Sequence, residues 1–175
     1  MTNRKNNKGS RARRRMWTMG ILCLSFLSLV AQVNPVGSRK TAKSKVYLLQ
    51  SDVLKKSKKN PNPDAQILVG DVVFRHDSIY MYCDSACFYE KTNSLEAFDN
   101  VKMVQGDTLF LYGDYLFYDG NAQIAQVRNH VRMENRTITL TTDSLNYDRV
   151  ANLGYFFDGG TLMDEENVLT SDWGE

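Results

Sequence analysis

Two histidines, a pair of cysteines and a recurring aspartate are the side chains of this sequence that could support chemistry. His76 and His130 are its only histidines. Neither is accompanied by a cysteine or by a serine and an aspartate at a recurring spacing, as a zinc site or a catalytic triad would require. The sequence therefore predicts no catalytic residue, no metal and no cofactor, and the chain is not expected to be an enzyme.

An aspartate closes a short apolar segment four times along the chain. These are Asp84, Asp114, Asp143 and Asp172, at intervals of 30, 29 and 29 residues. Calcium takes about six to eight oxygen ligands, and the sequence places no second carboxylate beside each aspartate to supply them. A solvated or turn-capping aspartate is therefore favoured over a stacked metal site.

The cysteines of the β region, Cys83 and Cys87, lie four residues apart. On one extended strand this spacing separates their Cα atoms by about 13 Å, whereas a disulfide needs Cα atoms within about 7 Å. A bend at Asp84 and Ser85 would bring the cysteines together, so a disulfide stays an alternative in an exported protein. Two free thiols are favoured.

The recurring aspartates mark a repeat of 29–30 residues, and a repeat of this length decides the fold. Each unit is interpreted as strand, tight turn, strand, bend and strand, with turn residues at 76–78 and 105–107 in the first two units. The strands are rich in Val, Ile, Thr, Tyr and Phe. No proline follows Pro63, which suits strands that all donate backbone hydrogen bonds. An all-β fold is predicted.

Apolar and polar residues alternate along these strands, so each unit has one apolar face. In the third unit, Val131 and Met133 alternate with Arg132 and Glu134. A single unit cannot bury such a face, and stacking of the units is expected to supply the core. The predicted inward positions are Val72, Phe74, Ile79, Met81, Val101, Met103, Leu109, Leu111, Val131, Met133, Ile138 and Leu140.

The first 31 residues have the layout of a secretory signal. Seven Lys and Arg residues, with no acidic residue among them, precede an apolar stretch over 16–31. A stretch of about 16 residues is short for a membrane core that takes about 20. Cleavage after Ala31 is favoured, and an uncleaved anchor helix over 16–31 and a lipoprotein at Cys23 are the alternatives. Each places the remainder outside the cytoplasm.

Removing this leader reverses the charge balance. Seven of the 22 Lys and Arg residues lie in it, which leaves 15 against 20 Asp and Glu, a net charge of −5. The formal charge of +2 is thus no argument for nucleic acid. Residues 32–64 carry eight basic and two acidic residues and are predicted to form a basic linker, with a patch for anionic head groups as the alternative. The β-repeat domain is predicted over 65–175, with an incomplete last repeat.

Two stretches of the chain share one pattern of apolar strand, aspartate and Tyr-Asp. They are NVKMVQGDTLFLYGDYLFYD, from Asn100 to Asp119, and HVRMENRTITLTTDSLNYD, from His130 to Asp148. This pattern resembles the OstA-like domain of the LptA family of lipopolysaccharide transport periplasmic proteins, over about residues 45–175. The resemblance implies an opened, V-shaped β-jelly roll of stacked antiparallel strands.

The resemblance also implies a function. It makes the twelve inward positions the lining of an apolar groove for lipid A acyl chains, and it places Phe88, Tyr118 and Tyr147 near the bend. The implied partners are lipopolysaccharide and other transport-bridge proteins, or copies of this chain joined by edge-strand pairing, in the periplasm. The alternatives are an inner-membrane-anchored transport component of the same fold and a structural or adhesive β-solenoid with a dry core.

Overall fold

The computed structural model describes residues 44–56 and 64–175, and the regular structure of these residues consists of strands. The strands are β1 Tyr47–Gln50, β2 Val53–Lys56, β3 Gln66–His76, β4 Ile79–Tyr89, β5 Ser94–Gln105, β6 Leu109–Asp119, β7 Ile124–Asn135, β8 Ile138–Asp148, β9 Leu153–Tyr155, β10 Gly160–Met163 and β11 Val168–Ser171. Within these two ranges no helix is long and apolar enough to cross a membrane. The leader predicted over 1–31, as signal or as anchor, lies outside the described residues.

The strands form one antiparallel sheet whose order follows the chain. Strands β3 to β8 pair with their sequence neighbours, and β10 and β11 continue the sheet beyond β8. The short strands act in pairs at the two ends. Strands β1 and β2 pair with different parts of β3, and β10 and β9 pair with different parts of β8. Hairpin connections of this kind need only short turns.

Each long hairpin carries a bulge near its middle. In β5, Asp99 and Asn100 lie opposite the single residue Asp114 of β6, and the register shifts there. Both residues of the bulge have left-handed backbone, with φ of 61° and 49°. Asp and Asn tolerate this conformation better than most residues, because their short side chains can hydrogen-bond locally. A bulge of this kind bends the strand that carries it.

The same register shift occurs in the neighbouring hairpins. Residues 70–71 of β3 lie opposite Asp84, and residues 129–130 of β7 lie opposite Asp143. These aspartates therefore lie inside continuous strands and do not close them. The bend expected in each unit is the bulge. The expected third strand is the part of the same strand that follows the bulge, so each unit holds two long strands.

The row of bulges divides the sheet into two halves. The upper half is joined by the turns at 77–78, 106–108 and 136–137, and the lower half by the turns at 90–93, 120–123 and 149–152. Buried side chains of both halves form one core, in which Phe74 of the upper half lies against Phe88 of the lower half. The sheet is folded along the bulges with its apolar faces inward. The expected all-β fold, an opened antiparallel sheet, is confirmed.

The boundary of the β domain needs a correction. Strands β1 and β2 lie inside the region predicted as a linker over 32–64, so the sheet begins at Tyr47 and not at residue 65. The lysines that suggested a solvated linker include Lys55 and Lys56 of β2, which is an edge strand. Lysine is common on edge strands because its charge discourages pairing with other chains. Residues 57–63 lie outside the described residues.

Candidate functional site

The interior between the two halves is the candidate site. Ten of the twelve predicted inward positions are buried, with at most 5% of each residue exposed. All ten lie on the inner face of the upper half, because successive inward positions are two residues apart along each strand. They are Val72, Phe74, Ile79, Met81, Val101, Met103, Leu109, Leu111, Val131 and Leu140.

The remaining two positions, Met133 and Ile138, are more open. Met133 is partly buried and packs against the core, where its thioether approaches the position that a Cβ atom would take at Gly154 of β9. Ile138 is 41% exposed. It is the first residue of β8, and β10 begins to pair with β8 only at Thr139, so no strand of the described ranges covers Ile138 on that side.

The inner face of the lower half is the part that the sequence reasoning missed. Phe88, Tyr118 and Tyr147, expected near the bend, are buried and lie four residues beyond the aspartate of each bulge. They belong to a second apolar row, whose period is visible in the sequence once the strand is continued past each aspartate. The other buried members of this row are Leu68, Ala86, Leu95, Ala97, Leu116, Ala125, Val127 and Leu145.

Burial changes along the interior. The inward residues of β3 to β6 are almost wholly inaccessible, whereas Leu153, Tyr155 and Leu162, near the other end of the sheet, are only half-buried. Beyond them, Phe157 and Trp173 are 64% and 67% exposed. The interior is therefore closed where the first strands pack and is more accessible near the last strands, where Phe156 is still buried.

A cavity of about 390 Å³ lies between the turns of the two halves. Leu109 and Ile138, two of the predicted groove residues, line it from the upper half, and Asn152 lines it from the lower half. Gln105 is also part of this wall, and its buried side-chain oxygen has no hydrogen-bond partner among the described residues. The cavity is a mouth through which the apolar rows reach the surface.

A larger cavity, of about 560 Å³, lies at the bulge of β7. Most of its lining faces outward and is polar or charged, including His130, Arg132 and Asp143. Such a lining does not suit acyl chains, because burying polar groups without partners is costly. Six of the eight residues that line the smaller cavity are polar or charged as well, so its link to the apolar interior rests on Leu109 and Ile138.

Three of the recurring aspartates, Asp84, Asp114 and Asp143, lie at the bulges, and two of them bind neighbouring side chains. Asn100 donates a 2.7 Å hydrogen bond to Asp84, and Nδ1 of His130 lies 2.6 Å from the Asp114 carboxylate. This hydrogen bond raises the pKa of His130 above its ordinary value. Among residues 44–56 and 64–175, no three His, Cys, Asp or Glu side chains are grouped as metal ligands. The side-chain hydrogen bonds of Asp84 and Asp114 lie at the bulges and not in turns.

Cys83 and Cys87 are free thiols, as favoured from their spacing. Cys83 faces the core, and burial raises its pKa to about 12. Cys87 is half-buried, and burial raises its pKa as well. Reactive cysteines have lowered pKa values, so the structure gives these thiols a packing role.

The comparisons with known proteins agree with this architecture. Residues 43–175 match the family model described as OstA-like protein, and no curated protein matches the chain. Among solved structures, the fold is similar to LptH of Pseudomonas aeruginosa, described as the LptA homologous periplasmic component of the conserved lipopolysaccharide transport device, with a TM-score of 0.55 and 14% identity. The match covers 62% of this chain and 79% of LptH.

A likeness at this identity shows a shared fold and nothing further. The family match covers most of the sequence, including every described strand, and it confirms the resemblance to the OstA-like domain. The chain belongs to the OstA-like protein family.

Proposed function

We propose that this chain is a periplasmic lipopolysaccharide transport component that shelters lipid A acyl chains between the two halves of its folded sheet. The observation that supports this proposal is the mouth, where Leu109 and Ile138 connect the surface to the buried apolar rows. Each CH2 group removed from water contributes about 0.8 kcal/mol, so an apolar trough needs no chemistry to hold an acyl chain.

The methionines of the interior suit such a ligand. Met81, Met103 and Met133 lie in one row across the sheet, since Met81 pairs with Met103, which pairs with Leu111, which pairs with Met133. Methionine is unbranched and flexible, and it adapts to irregular apolar partners. The half-buried position of Met133 places it beside the more open end of the interior.

A dry, structural interior is the competing function, and one observation favours it. Val72, Phe74 and Ile79 are 0% exposed, so the first strands enclose a packed core with no room for a chain. An acyl chain can therefore enter the interior only at the more accessible end or after the two halves have separated. The two functions differ in whether acyl chains contact Leu109 and Ile138.

Crosslinking with a lipid A analogue that carries an aliphatic photolabel tests the proposal. Labelling is expected at residues of the mouth, and Ile138→Glu is expected to reduce it about tenfold or more because a buried charge beside an acyl chain is costly. Val53→Glu is a matched control, since Val53 is 40% exposed but lies on β2. Absence of labelling in folded protein, or equal labelling of both variants, would support the dry solenoid.

End-to-end assembly into a bridge is the second part of the proposal. The support is the exposed apolar residues at both ends of the sheet: Tyr47 and Leu54 on β1 and β2, and Val168 and Leu169 on β11, all at least 52% exposed. Edge strands carry unpaired backbone groups that a further strand can satisfy. Pairing of one end with the other is heterologous, and it extends as an open chain unless the rotation between copies closes a ring.

The membrane-anchored variant of this component concerns residues outside the described ranges. The mass of the mature protein separates the two forms, because a chain that begins at Gln32 has no anchor over 16–31.

A further inference from the structure

Polar contacts that the proposed lipid site does not use join the upper and lower halves near His76. Asp77, in the upper turn at 77–78, accepts a 3.2 Å hydrogen bond from Arg149 in the lower turn at 149–152. Arg149 also donates to the side chain of Gln123, at 3.1 Å. The hydroxyl of Ser44 donates to Asp77 as well. One carboxylate thus ties the two halves together.

A buried histidine lies beside this ion pair. His76 is 0% exposed, and its Nδ1 shares a 2.6 Å hydrogen bond with the hydroxyl of Tyr118 from the lower half. Burial raises the pKa of Tyr118 to about 12, so the hydroxyl keeps its proton and can donate it to the neutral imidazole. The remaining ring proton is then on Nε2, which has no hydrogen-bond partner among the described residues and lies 3.9 Å from Asp77.

The segment before β1 covers the same region. The backbone N–H of Val46 donates to the side chain of Asn93, at 2.8 Å, and the Asn93 amide donates to the carbonyl of Ser44, at 3.1 Å. Val46 is buried. Residues 44–46 therefore span from the upper turn at 77–78 to the lower turn at 90–93, and they close the interior over His76.

We propose that His76, Tyr118, Asp77 and Arg149 form a polar clamp that holds the upper turn at 77–78 against the lower turn at 149–152, and that protonation of His76 releases it. The neutral ring accepts the Tyr118 proton, whereas an imidazolium carries protons on both nitrogens, so the hydroxyl would have to reverse and accept from Nδ1. A second proton would also place a positive charge in a buried site beside Arg149, where charge is costly.

The groups around His76 set the direction of this switch. Burial lowers the pKa of His76, and Arg149 acts in the same direction, whereas Asp77 and the backbone at Ser44 act in the opposite direction. The net pKa lies below that of an ordinary histidine. A base whose pKa is lower in the folded state is stabilising when neutral, so the clamp is strongest above about pH 6.5 and weakens as the pH falls below that value.

The sequence offers a sharp test, because His130 is the only other histidine and is exposed on the outer face. Hydrogen exchange of the full chain without lipid is compared at about pH 7.5 and about pH 5.5, after correction for intrinsic rates. In the wild-type chain and in His130→Gln, protection of residues 44–46 and 77–78 is expected to fall, by at most about tenfold for a histidine whose pKa in the open form is about 6.5. In His76→Gln, this fall is expected to disappear.

A fall that persists in His76→Gln, or a wild-type chain that shows none, would overturn the clamp. Tyr118→Phe gives a second test if His76→Gln does not fold, because it removes the hydroxyl and keeps the ring. Lower protection of the same segments at about pH 7.5 is expected, since the neutral imidazole loses its donor. Protection equal to that of the wild-type chain at both pH values would contradict the proposal.

The idea that the clamp regulates lipid access rests on the proposed function. The hydrogen-exchange experiment contains no lipid, so its result does not depend on that function. With the lipid A photolabel, crosslinks at Phe74 and Ile79 are expected only at the lower pH, whereas crosslinks at the mouth are expected at both. Release of the clamp without any crosslink would keep the switch and reject lipid carriage. Crosslinks at Phe74 that do not depend on pH would show that the switch does not control the access of lipid to the interior.

Discussion

The rings of Phe74 and Phe88 lie with centroids 5.4 Å apart, although the two residues belong to opposite halves of the folded sheet. Phe74 is fully buried and Phe88 is 6% exposed. Their contact depends on closure of the halves as well as on formation of the strands, so it measures how much stability the folding of the sheet on itself provides.

Phe88→Ala is expected to lower the free energy of unfolding by about 3–5 kcal/mol, because truncation of a buried phenylalanine leaves a cavity. Urea denaturation measures this change. Phe98→Ala is the matched control, since Phe98 and Tyr115 have the same centroid separation, 5.4 Å, but neither is among the buried residues. The control is expected to cost about 1 kcal/mol. Equal costs for the two variants would show that the halves contribute little to stability by packing together.

The pKa values of the two histidines are expected to lie on opposite sides of the pKa of an ordinary histidine. The hydrogen bond to Asp114 raises the pKa of His130, and burial lowers the pKa of His76. Proton NMR of the imidazole signals measures both midpoints, and His130→Gln assigns them. Asp114→Asn is expected to lower the midpoint of His130, because it removes the charged acceptor. Asp84→Asn, at the bulge of the first hairpin, is expected to leave that midpoint unchanged.

Gly120 is expected to tolerate no side chain. A Cβ atom there would lie 2.6 Å from the Asn93 carbonyl oxygen and 2.7 Å from Cγ2 of Val46. Gly120→Ala is therefore expected to cost about 1–3 kcal/mol in stability and to loosen residues 44–46. Gly154→Ala is the control, because its nearest neighbour, Cδ1 of Leu145, lies at 3.4 Å and can adjust. Thermal unfolding of both variants checks the difference, and an equal change in melting temperature would contradict it.

Assembly through the two ends of the sheet predicts an asymmetric response to substitution. Leu54→Lys, on β2, and Leu169→Lys, on β11, are each expected to weaken self-association about tenfold or more, or roughly 1.4 kcal/mol, in sedimentation velocity. A mixture of the two variants is expected to form dimers and no longer species, since each variant keeps one intact end. Long assemblies in the mixture would show that the contact does not join one end to the other.

The upper half of the fold could be predicted from the sequence because its inward residues are large, aliphatic and strictly alternating, as Leu109 and Leu111 of β6 illustrate. The lower half could not. Its inward residues include alanines such as Ala97 and Ala125 as well as tyrosines such as Tyr118, so its apolar face has little contrast with its outer face. The aspartate at each bulge also looked like the end of a strand.

The mouth and the clamp lay beyond sequence reasoning for a different reason. His76 and Tyr118 are 42 residues apart in the chain, and Arg149 reaches Asp77 over 72 residues. Only the fold of the sheet brings these side chains together. The sequence identified Leu109 and Ile138 as inward positions, but which of them stays buried depends on where β10 begins to pair with β8.

The row of bulges has a consequence for how such a protein can change its length in evolution. Every hairpin from β3 to β8 crosses the row with the same register shift, so each presents its neighbour with an equivalent edge. Duplication or loss of a whole hairpin keeps every inward side chain inward, whereas loss of one bulge residue would turn half of a strand inside out. Strands lie about 4.8 Å apart, so each duplicated hairpin would lengthen the interior by about 10 Å. The distance that such a protein spans could thus be adjusted in fixed steps by gene duplication, without a new core.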